Sequence, residues 1–452
     1  MPNLSPEFVE NMRALLGAQT DAFLAALEDA PALAMRVHRP GADVSRFVGG
    51  AVPWARGGYY LRPGARPGAS IEHCAGAFYL QEASAMLPAC VLDPARGERV
   101  LDLCAAPGGK ASQLALALGG TGALVANEID LSRARALAGN LERLGVVNAL
   151  VASETPAHLA ARWPGAFDAV LVDAPCSGEG MFRRDPDSRA QWSPAAPEGC
   201  RKRQAEILDA AAALVRPGGR LVYSTCTFNA LENEESVRGF LARHADFSPW
   251  EFEVPALGAS RGGMLRLWPH TSRGDGHFVA RLRRAGEAAP PAAPPCRDDP
   301  AARGLLDALH EAAVRRLPAA LEGARLRLLG GRLFAAPALA PDADGLRVVS
   351  PGTALLRAEK GRVEPEHALA MALEPADALR VAALCEAEAR AFLAGEALPR
   401  EGEKGWTLVT FAGLPLGWGK QSGGTLKNHL PKGLRRALRA ERPAPATREI
   451  QN

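Results

Sequence analysis

The chain has 452 residues, 47% of them hydrophobic and 6% aromatic, which is enough for two or three globular domains with ordinary cores. Its apolar stretches are shorter than the roughly 18 residues of a membrane-spanning helix, and its opening MPNLSPEF lacks the pattern of a secretory signal, so we expect a cytoplasmic protein without a membrane partner. The net charge is only +3, but the last 52 residues contain nine Lys or Arg and four Asp or Glu. This basic end suits either a polyanionic partner or a solubilising surface.

Residues 1–75 predict a small N-terminal α/β unit. Apolar residues recur at helical spacing between positions 5 and 30, and AMRVHRPGADVSRF then predicts a strand, a turn and the start of a helix. This unit by itself predicts no chemistry.

Residues 76–283 predict a doubly wound α/β domain around a parallel sheet. Strands are predicted in RVLDLC, ALVANE, NALVA, FDAVLVDAP and RLVYSTC, and helices alternate with them, as over 131–144 and 197–215. In such sheets ligands bind beyond the carboxyl ends of the strands. Asp102, Glu128, Asp173 and Cys226 fall at those ends.

A proline-rich linker over 284–302 precedes a mixed α+β region over 303–445. Hairpins are predicted in LRLLGGRLFAAP, GLRVVSPGTALLRAE and GWTLVTFAGLPLGWGK, and a helix in ADALRVAALCEAEARAFLAG. The region ends in a basic segment beside Trp418 and His429, with Lys420, Lys427, Lys432, Arg435, Arg436 and Arg439.

The stretch LDLCAAPGGK predicts a cofactor loop. Gly108 and Gly109 follow the first strand and open a helix, where small residues and free N–H groups admit a ligand. Glu128 ends the second strand, where a carboxylate can accept both ribose hydroxyls. NAD and S-adenosylmethionine both fit, although the glycine pattern is not G-x-G-x-x-G, which counts against NAD.

The eight cysteines contain no CxxC pair, so zinc spacing is absent, no metal is expected, and free thiols are expected in a reducing compartment. An isolated strand-end cysteine is more often a small buried hydrophobe than a reactive group. However, Cys176 lies in the kinked sequence APCSG, and STCTF surrounds Cys226 with hydroxyl groups. Both cysteines lead towards helices, where a thiolate can be stabilised, so we treat them as candidate reactive thiols.

Three segments together carry a family resemblance: CAAPGGK (104–110), DAPCSGEG (173–180) and YSTCTFNALENE (223–234). In this order and spacing they closely resemble the RNA cytosine-5 methyltransferases of the NOL1/NOP2/Sun family. The C-terminal stretch LPLGWGKQSGGTLKNHLPKGLRR resembles the tail of the bacterial small-subunit rRNA members, the F-type enzymes.

The resemblance implies a Rossmann-like class I methyltransferase domain with a C-terminal RNA-binding region. It implies methylation of carbon 5 of cytosine in 16S rRNA, free or in the 30S subunit, with S-adenosyl-L-methionine as cofactor. Cys226 would add to carbon 6 of the base, and Cys176 would assist product release. Asp173 would hydrogen-bond the base at nitrogen 3 and the amino group, and Lys110 would supply positive charge near the base and the thiolate. We expect a monomer.

The resemblance also assigns the cofactor site. Glu128 would hold the ribose, Asp173 would border the cofactor, and Arg133 would brace the site or be an ordinary exposed helix arginine. The methionine part would lie on the loop of Cys104, Ala105, Ala106, Pro107, Gly108, Gly109 and Lys110. The chain departs from the family after the third strand, where Thr155, with Glu154 beside it, occupies the place of an acidic residue that often contacts adenine. We therefore assign no adenine contact.

A cytosine within a duplex is out of reach, so the target must be unpaired or flipped out. Phe182, Arg183, Arg184 and Trp192 are candidates for stacking on or gripping the strand, or else form a solvated loop. Two rival functions remain open. A DNA cytosine-5 methyltransferase would use Cys176 as nucleophile and give Cys226 no role, and a ribosome-assembly RNA-binding protein with an inactive domain would use neither.

Overall fold

A computed structural model describes residues 4–287, 300–359 and 362–438. A nine-stranded sheet forms the middle of the molecule, and smaller sheets lie in the N-terminal and C-terminal parts. Most of the predicted linker, and Arg439, lie outside the described residues. None of the helices within those ranges combines the length and the apolar character needed to cross a bilayer.

The N-terminal part is a four-stranded antiparallel sheet with helices beside it, which confirms the predicted α/β unit and the helical spacing between positions 5 and 30. Its elements are α1 (Pro6–Leu16), α2 (Thr20–Glu28), β1 (Ala34–Val37), β2 (Val48–Ala51), β3 (Gly58–Leu61), α3 (Ile71–Cys74) and β4 (Phe78–Leu80). The spatial order of the strands is β2-β3-β1-β4.

The central domain carries the predicted alternation of strands and helices. Its strands are β5 (Arg99–Asp102), β6 (Ala123–Asn127), β7 (Ala149–Ala152), β8 (Phe167–Asp173), β9 (Val215–Thr225), β10 (Phe247–Pro249), β11 (Glu253–Val254), β12 (Gly258–Ala259), β13 (Met264–Leu267) and β14 (His277–Arg284). Its helices are α4 (Leu87–Leu92), α5 (Gly109–Ala117), α6 (Leu131–Leu144), α7 (Pro156–Arg162), α8 (Pro186–Gln191), α9 (Ala196–Leu214) and α10 (Glu234–Arg243).

Five parallel strands lie in the order β9-β8-β5-β6-β7, and β14 joins β9 antiparallel. Successive strands run outwards from β5 in both directions, which confirms the predicted doubly wound fold. Neighbouring residues of one strand face opposite layers: Val100 and Leu171 pack in one core, and Leu101 and Val170 in the other. Because the sheet is buried on both faces, the middle of each parallel strand is mostly apolar, and polar residues stand at the carboxyl ends.

The C-terminal part contains two further sheets, of order β15-β16-β18-β19 and β20-β22-β23-β24-β21. The elements are α11 (Pro300–Ala312), α12 (Ala319–Glu322), β15 (Arg325–Leu329), β16 (Arg332–Ala336), β17 (Val348–Ser350), β18 (Thr353–Glu359), β19 (Arg362–Pro365), α13 (His367–Ala372), β20 (Val381–Leu384), α14 (Glu386–Ala394), β21 (Leu398–Pro399), β22 (Gly405–Phe411), β23 (Leu414–Ser422) and β24 (Thr425–Asn428). The hairpins predicted around β15–β16 and β22–β23 are confirmed.

Two predictions in this region are wrong. The segment 345–359 is not a hairpin, because β17 leaves it to pair antiparallel with β7 and covers the edge of the central sheet, while β18 pairs with β16. The segment 376–395 is not one helix, because Val381–Leu384 forms β20 and only α14 is helical. Parallel pairing with β22 and alternate burial along β20 outweigh the helix propensity of its alanine-rich sequence.

Candidate active site

The predicted catalytic residues meet at the carboxyl ends of β8 and β9 and at the start of α5. Asp173 ends β8, Cys176 follows it, and Cys226 comes directly after β9. The Sγ atoms of Cys176 and Cys226 lie 3.4 Å apart, and Lys110 Nζ lies 2.7 Å from Asp173 Oδ2. Because β8 and β9 are parallel neighbours, their carboxyl ends bring the two motifs to one place.

Asp173 is held from three sides. Lys110 pairs with its Oδ2, Ser224 Oγ donates a hydrogen bond of 2.8 Å to its Oδ1, and His277 Nε2 lies 3.5 Å from Oδ1. Burial alone would raise the pKa of Asp173, but the ammonium of Lys110, helped by His277, holds that pKa below its usual range. Asp173 is therefore an ionised carboxylate that can only accept hydrogen bonds.

Lys110 is the cation that pairs with Asp173. Burial lowers its pKa, but the carboxylate of Asp173 and, more weakly, the sulfur of Cys226 raise it above the ordinary value. The ammonium thus pairs with Asp173 and also feels the charge of Cys226, the predicted nucleophile.

The surroundings of Cys176 favour its protonated form. The hydrogen bond between the two sulfurs and then burial raise the pKa of Cys176 well above its usual value, and the charge of Glu232 adds to the effect. Cys176 therefore keeps its proton and can donate it towards Cys226.

The sequence did not single out Ser224 or His277. Ser224 lies inside the YSTCTF motif, so its hydroxyl could have been noticed as a partner for the neighbouring strand. His277 opens β14, which pairs antiparallel with β9, and only this pairing brings the histidine to Asp173.

The cofactor loop joins β5 to α5. Gly108 has φ +114°, a conformation that favours glycine, and a side chain at that position would lie 3.1 Å from Leu137 Cδ1. Cys104 packs against the core below the loop, and burial raises the pKa of its thiol, so it is a packing residue rather than a reactive one. Ala105, Ala106 and Pro107 complete the turn before α5 begins at Gly109.

Glu128 and Arg133 border this loop. Glu128 is 4% exposed, and its Oε1 accepts a hydrogen bond of 3.1 Å from the Asp130 amide. Arg133 Nη1 lies 3.2 Å from Glu128 Oε2, and its Nη2 donates a hydrogen bond of 3.1 Å to Ala106 O. Arg133 thus links the carboxylate to the loop 104–110.

A second buried carboxyl faces the same region. Asp102, at the end of β5, is fully buried, and neither of its oxygens has a hydrogen-bond partner among the described residues. Burial first, and the charge of Asp173 second, raise its pKa to about 8. The orphaned polar oxygens, the glycine turn and the carboxylate of Glu128 fit a polar nucleoside cofactor at the ends of β5 and β6.

Thr155, at the place of the family's adenine-contacting residue, and Glu154 beside it form hydrogen bonds within the protein. Thr155 Oγ1 caps α7 by accepting a hydrogen bond of 3.2 Å from the His158 amide. Glu154 accepts a hydrogen bond of 2.7 Å from the amide of Arg347, next to β17, and lies 2.9 Å from His158 Nδ1. Glu154 thus links the edge of the central sheet to the C-terminal part, whereas Thr155 only caps α7.

Neither interpretation of Phe182, Arg183, Arg184 and Trp192, as groups that grip the RNA strand or as a solvated loop, agrees with the structure. Phe182 and Trp192 are buried against Phe8 of α1. Arg183 is buried and donates hydrogen bonds to carbonyl oxygens of Asp29, Ala30 and Gly274. Arg184 ion-pairs with Asp275. These residues fasten the N-terminal helices to the catalytic loops, which only the tertiary structure could reveal.

The C-terminal basic surface consists of Lys420, Lys427, Lys432, Arg435 and Arg436, which are all exposed. Lys420 and Lys427 are directly opposite each other on β23 and β24, an arrangement that costs free energy unless an anion lies between the two charges. Lys420 Nζ lies 4.8 Å from the ring centroid of Trp406, which His429 meets edge-on at 4.6 Å. Trp418, predicted beside this surface, is instead buried and donates a hydrogen bond to Glu366 O.

Comparison with known proteins identifies the family. Residues 89–283 match the family model "16S rRNA methyltransferase RsmB/F", residues 4–83 the N-terminal domain of RsmF, residues 311–373 its first C-terminal domain, and residues 380–436 the RsmF PUA domain.

Full-length relatives and solved structures agree with these matches. Ribosomal RNA small subunit methyltransferase F of Serratia proteamaculans is 33% identical over 95% of this chain and 96% of its own, and that of Klebsiella pneumoniae is 34% identical over 94% and 95%. A methyltransferase homologue from Pyrococcus horikoshii is 30% identical over 62% of this chain and all of its own, with a TM-score of 0.52. NSun6 of Pyrococcus horikoshii, at 20% identity, shares the fold with a TM-score of 0.56 over 63% of this chain and 99% of its own. The chain therefore belongs to the family of ribosomal RNA small subunit methyltransferase F proteins, and S-adenosyl-L-methionine is its cofactor.

Proposed function

We propose that this protein methylates carbon 5 of a cytosine in 16S rRNA. The observation that carries the proposal is the pair of cysteine sulfurs, 3.4 Å apart, beside the ionised Asp173–Lys110 pair. Carbon 5 of cytosine is a poor nucleophile, and a thiolate that adds to carbon 6 converts the ring into an enamine that can attack a methyl group. A site for this reaction needs one thiolate, one group that holds the base, and a means of releasing the product.

Cys226 is the nucleophile in this proposal. The resemblance of the segment YSTCTFNALENE assigns the attack on carbon 6 to Cys226, and the Cys176 thiol, 3.4 Å away, is then left as a proton donor. Lys110 supports the thiolate electrostatically from the start of α5.

Asp173 recognises the base and stabilises the adduct. As a carboxylate it accepts a hydrogen bond from the amino group of the free cytosine, but nitrogen 3 offers it no proton in that state. In the adduct nitrogen 3 takes up a proton, equivalent to the one that Cys226 loses as it becomes a thiolate, and the carboxylate accepts a second hydrogen bond from that N–H. This extra bond stabilises the adduct relative to the substrate.

The cofactor site is formed by residues at the ends of β5 and β6. When bound, S-adenosyl-L-methionine supplies an electrophilic methyl group on its sulfonium sulfur. The loop 104–110 would hold its methionine part, Asp173 would border it, and Glu128, fixed by Arg133, would bind its ribose.

Product release uses the second cysteine. After methylation the bond from carbon 6 to Cys226 breaks and the double bond between carbons 5 and 6 forms again, while the proton of carbon 5 passes to the sulfur of Cys176 as that thiol gives up its own hydrogen and nitrogen 3 returns its proton to solvent. The thiol of Cys176 can donate its hydrogen to the departing sulfur at 3.4 Å and so assist this step.

The substrate is an unpaired or flipped-out cytosine, in free 16S rRNA or in the 30S subunit. The C-terminal basic surface would bind the phosphate backbone of the RNA. The enzyme would work as a cytoplasmic monomer made of residues 1–75, the methyltransferase domain 76–283, the linker 284–302 and the RNA-binding region 303–445.

Methyl transfer from labelled S-adenosyl-L-methionine to deproteinised 16S rRNA or 30S subunits, with denaturing gels to reveal covalent adducts, tests the proposal. We expect Cys226→Ala to abolish transfer and adduct, and Cys176→Ala to accumulate the adduct. An adduct that survives in Cys226→Ala but not in Cys176→Ala would instead favour the DNA-type mechanism. Absence of transfer to either RNA by the unaltered protein would favour an inactive assembly factor. Bisulfite mapping of rRNA from a deletion strain identifies the target cytosine.

A further inference from the structure

Two carboxylates lie buried directly behind the cysteines. Glu179 follows Cys176 in the first catalytic loop, and Glu232 follows Cys226 in the second. Glu179 is 1% exposed and Glu232 is fully buried. The mechanism above uses neither of them.

Glu179 reaches from the first loop to the second. Its Oε2 accepts hydrogen bonds from the backbone amides of Phe228 (2.8 Å) and Asn229 (2.9 Å), just after Cys226. Its Oε1 accepts a hydrogen bond of 3.1 Å from Asn229 Nδ2. The backbone that carries Cys226 is thus held by a side chain from the loop of Cys176.

Glu232 reaches in the opposite direction. Its Oε2 accepts hydrogen bonds from the backbone amide of Ser177 (3.0 Å), the residue next to Cys176, and from Gln204 Nε2 (2.8 Å). Its Oε1 accepts hydrogen bonds from Ser177 Oγ and from Asn229 Nδ2 (2.8 Å). Gln204 also donates a hydrogen bond of 3.1 Å to Pro175 O, so both neighbours of Cys176 are fixed.

All of these donors are neutral amides and a hydroxyl. A buried carboxylate that is satisfied only by neutral donors still carries a large desolvation cost. Two loops packed together without buried charges would cost less free energy. The arrangement is reciprocal, since each loop supplies the carboxylate that fixes the other loop. Its geometric consequence is a fixed relation between the two cysteine-bearing backbones.

We infer that Glu179 and Glu232 are positioning residues that cross-brace the two catalytic loops, Glu179 for the attack by Cys226 and Glu232 for the release step of Cys176. The division of labour between attack and release rests on the proposed function. The cross-brace itself rests on the hydrogen bonds alone.

The first test measures, in the absence of RNA, how readily Cys176 and Cys226 form a disulfide. Diamide takes up two hydrogens as it oxidises two thiols to a disulfide, and peptide mapping by mass spectrometry identifies the Cys176–Cys226 product. We expect rapid cross-linking in the unaltered protein and cross-linking on the order of tenfold slower in Glu179→Gln and Glu232→Gln. In each variant an amide NH₂ group replaces an oxygen that now accepts a hydrogen bond.

Asp168→Asn is the matched control. Asp168 is also a buried carboxylate, but it lies at the amino end of β8 and binds the Arg99 amide and Arg216, far along the strand from Asp173. Its replacement should leave the cross-linking rate near that of the unaltered protein. If both glutamine variants, folded by circular dichroism, cross-link as fast as the unaltered protein, the cross-brace is refuted.

The second test separates the two roles. Glu179→Gln should lower the rate of adduct formation on rRNA by roughly tenfold to a hundredfold, whereas Glu232→Gln should still form the adduct and release it slowly, so that the adduct accumulates. Equal losses in both variants and in Asp168→Asn would mean simple destabilisation and would overturn the assignment. If the unaltered protein forms no adduct while the diamide result holds, the proposed chemistry fails and the cross-brace stands.

Discussion

Lys110 Nζ lies 2.7 Å from Asp173 Oδ2, so an ion pair connects the loop 104–110 to the carboxyl end of β8. The side chains are only 12% and 28% exposed, which leaves each charge dependent on the other. Lys110 opens α5 and Asp173 ends β8, and the neighbouring strands β5 and β8 hold these two elements at a fixed distance.

Replacing Lys110 by Met should therefore affect stability and activity together. We expect a loss of about 1–3 kcal/mol in the free energy of unfolding, less than for a fully enclosed pair because Asp173 is partly exposed. The pKa of Asp173 should rise, and methyl transfer should fall at least about a hundredfold. Urea unfolding and a methyl-transfer assay measure the two effects.

The double variant Lys110→Met/Asp173→Asn is the control for this prediction. It removes the uncompensated charge, so stability should return towards that of the unaltered protein while methyl transfer stays lost. Additive losses of stability in the double variant would contradict the coupling.

Gly180→Ala should displace the backbone of Cys226 and so lower the activity. The Gly180 amide donates a hydrogen bond of 2.7 Å to Cys226 O, and a Cβ at this position would lie 2.6 Å from that oxygen. The backbone of Cys226 must move, so we expect methyl transfer to fall roughly tenfold to a hundredfold with little change in cofactor affinity. Steady-state kinetics and calorimetric titration with S-adenosyl-L-methionine separate the two quantities.

Gly199→Ala is the matched substitution, because a Cβ on Gly199 of α9 meets nothing within 4 Å. It should retain full activity and gain about 0.5–1 kcal/mol in stability, because alanine is the better helix former. Equal activity in the two alanine variants would contradict the predicted clash with Cys226.

Asp102 predicts a pH dependence of stability. Its folded pKa of about 8 lies above the value of about 3.9 in an unfolded chain, so the folded state holds a proton that the unfolded state releases. This contribution is fully present below about pH 4 and is lost as pH rises towards 8. Relative to Asp102→Asn, which cannot ionise, the unaltered protein should lose on the order of a few kcal/mol across that window.

Urea unfolding of both proteins at pH 5 and pH 8, without cofactor, measures the difference. Parallel pH profiles for the two proteins would show that Asp102 ionises normally in the folded state.

The C-terminal basic surface predicts a salt-dependent weakening of RNA binding when its lysines are removed. Lys420→Ala/Lys427→Ala should lower the affinity for 16S rRNA and reduce the slope of log K against log salt by roughly 0.7 for each phosphate that the variant no longer neutralises. Filter binding across a salt series measures the slope. Lys202→Ala, which removes an exposed α9 lysine 3.7 Å from Glu198, should leave it unchanged. A slope that shifts equally in both variants would contradict a specific role for the C-terminal surface.

The sequence by itself determined the doubly wound domain and the motifs of its site. Continuous apolar strands ending in Asp102, Glu128, Asp173 and Cys226 predict a parallel sheet with its site at one edge, because local periodicity reports burial on both faces. The glycine turn before α5 was predictable from local sequence, because the left-handed backbone at Gly108 is a conformation that glycine favours.

Only the tertiary structure decided which groups surround that site. His277 reaches Asp173 through the antiparallel pairing of β14, and Phe182 is buried because the N-terminal helices cover it. The segment at β17 leaves its expected hairpin because the edge of β7 is unpaired without it. The Cys176–Cys226 distance also depends on pairing between β8 and β9 and, as we infer, on the hydrogen bonds that Glu179 and Glu232 accept across the loops. Interactions between residues far apart in the chain depend on packing that no local pattern encodes.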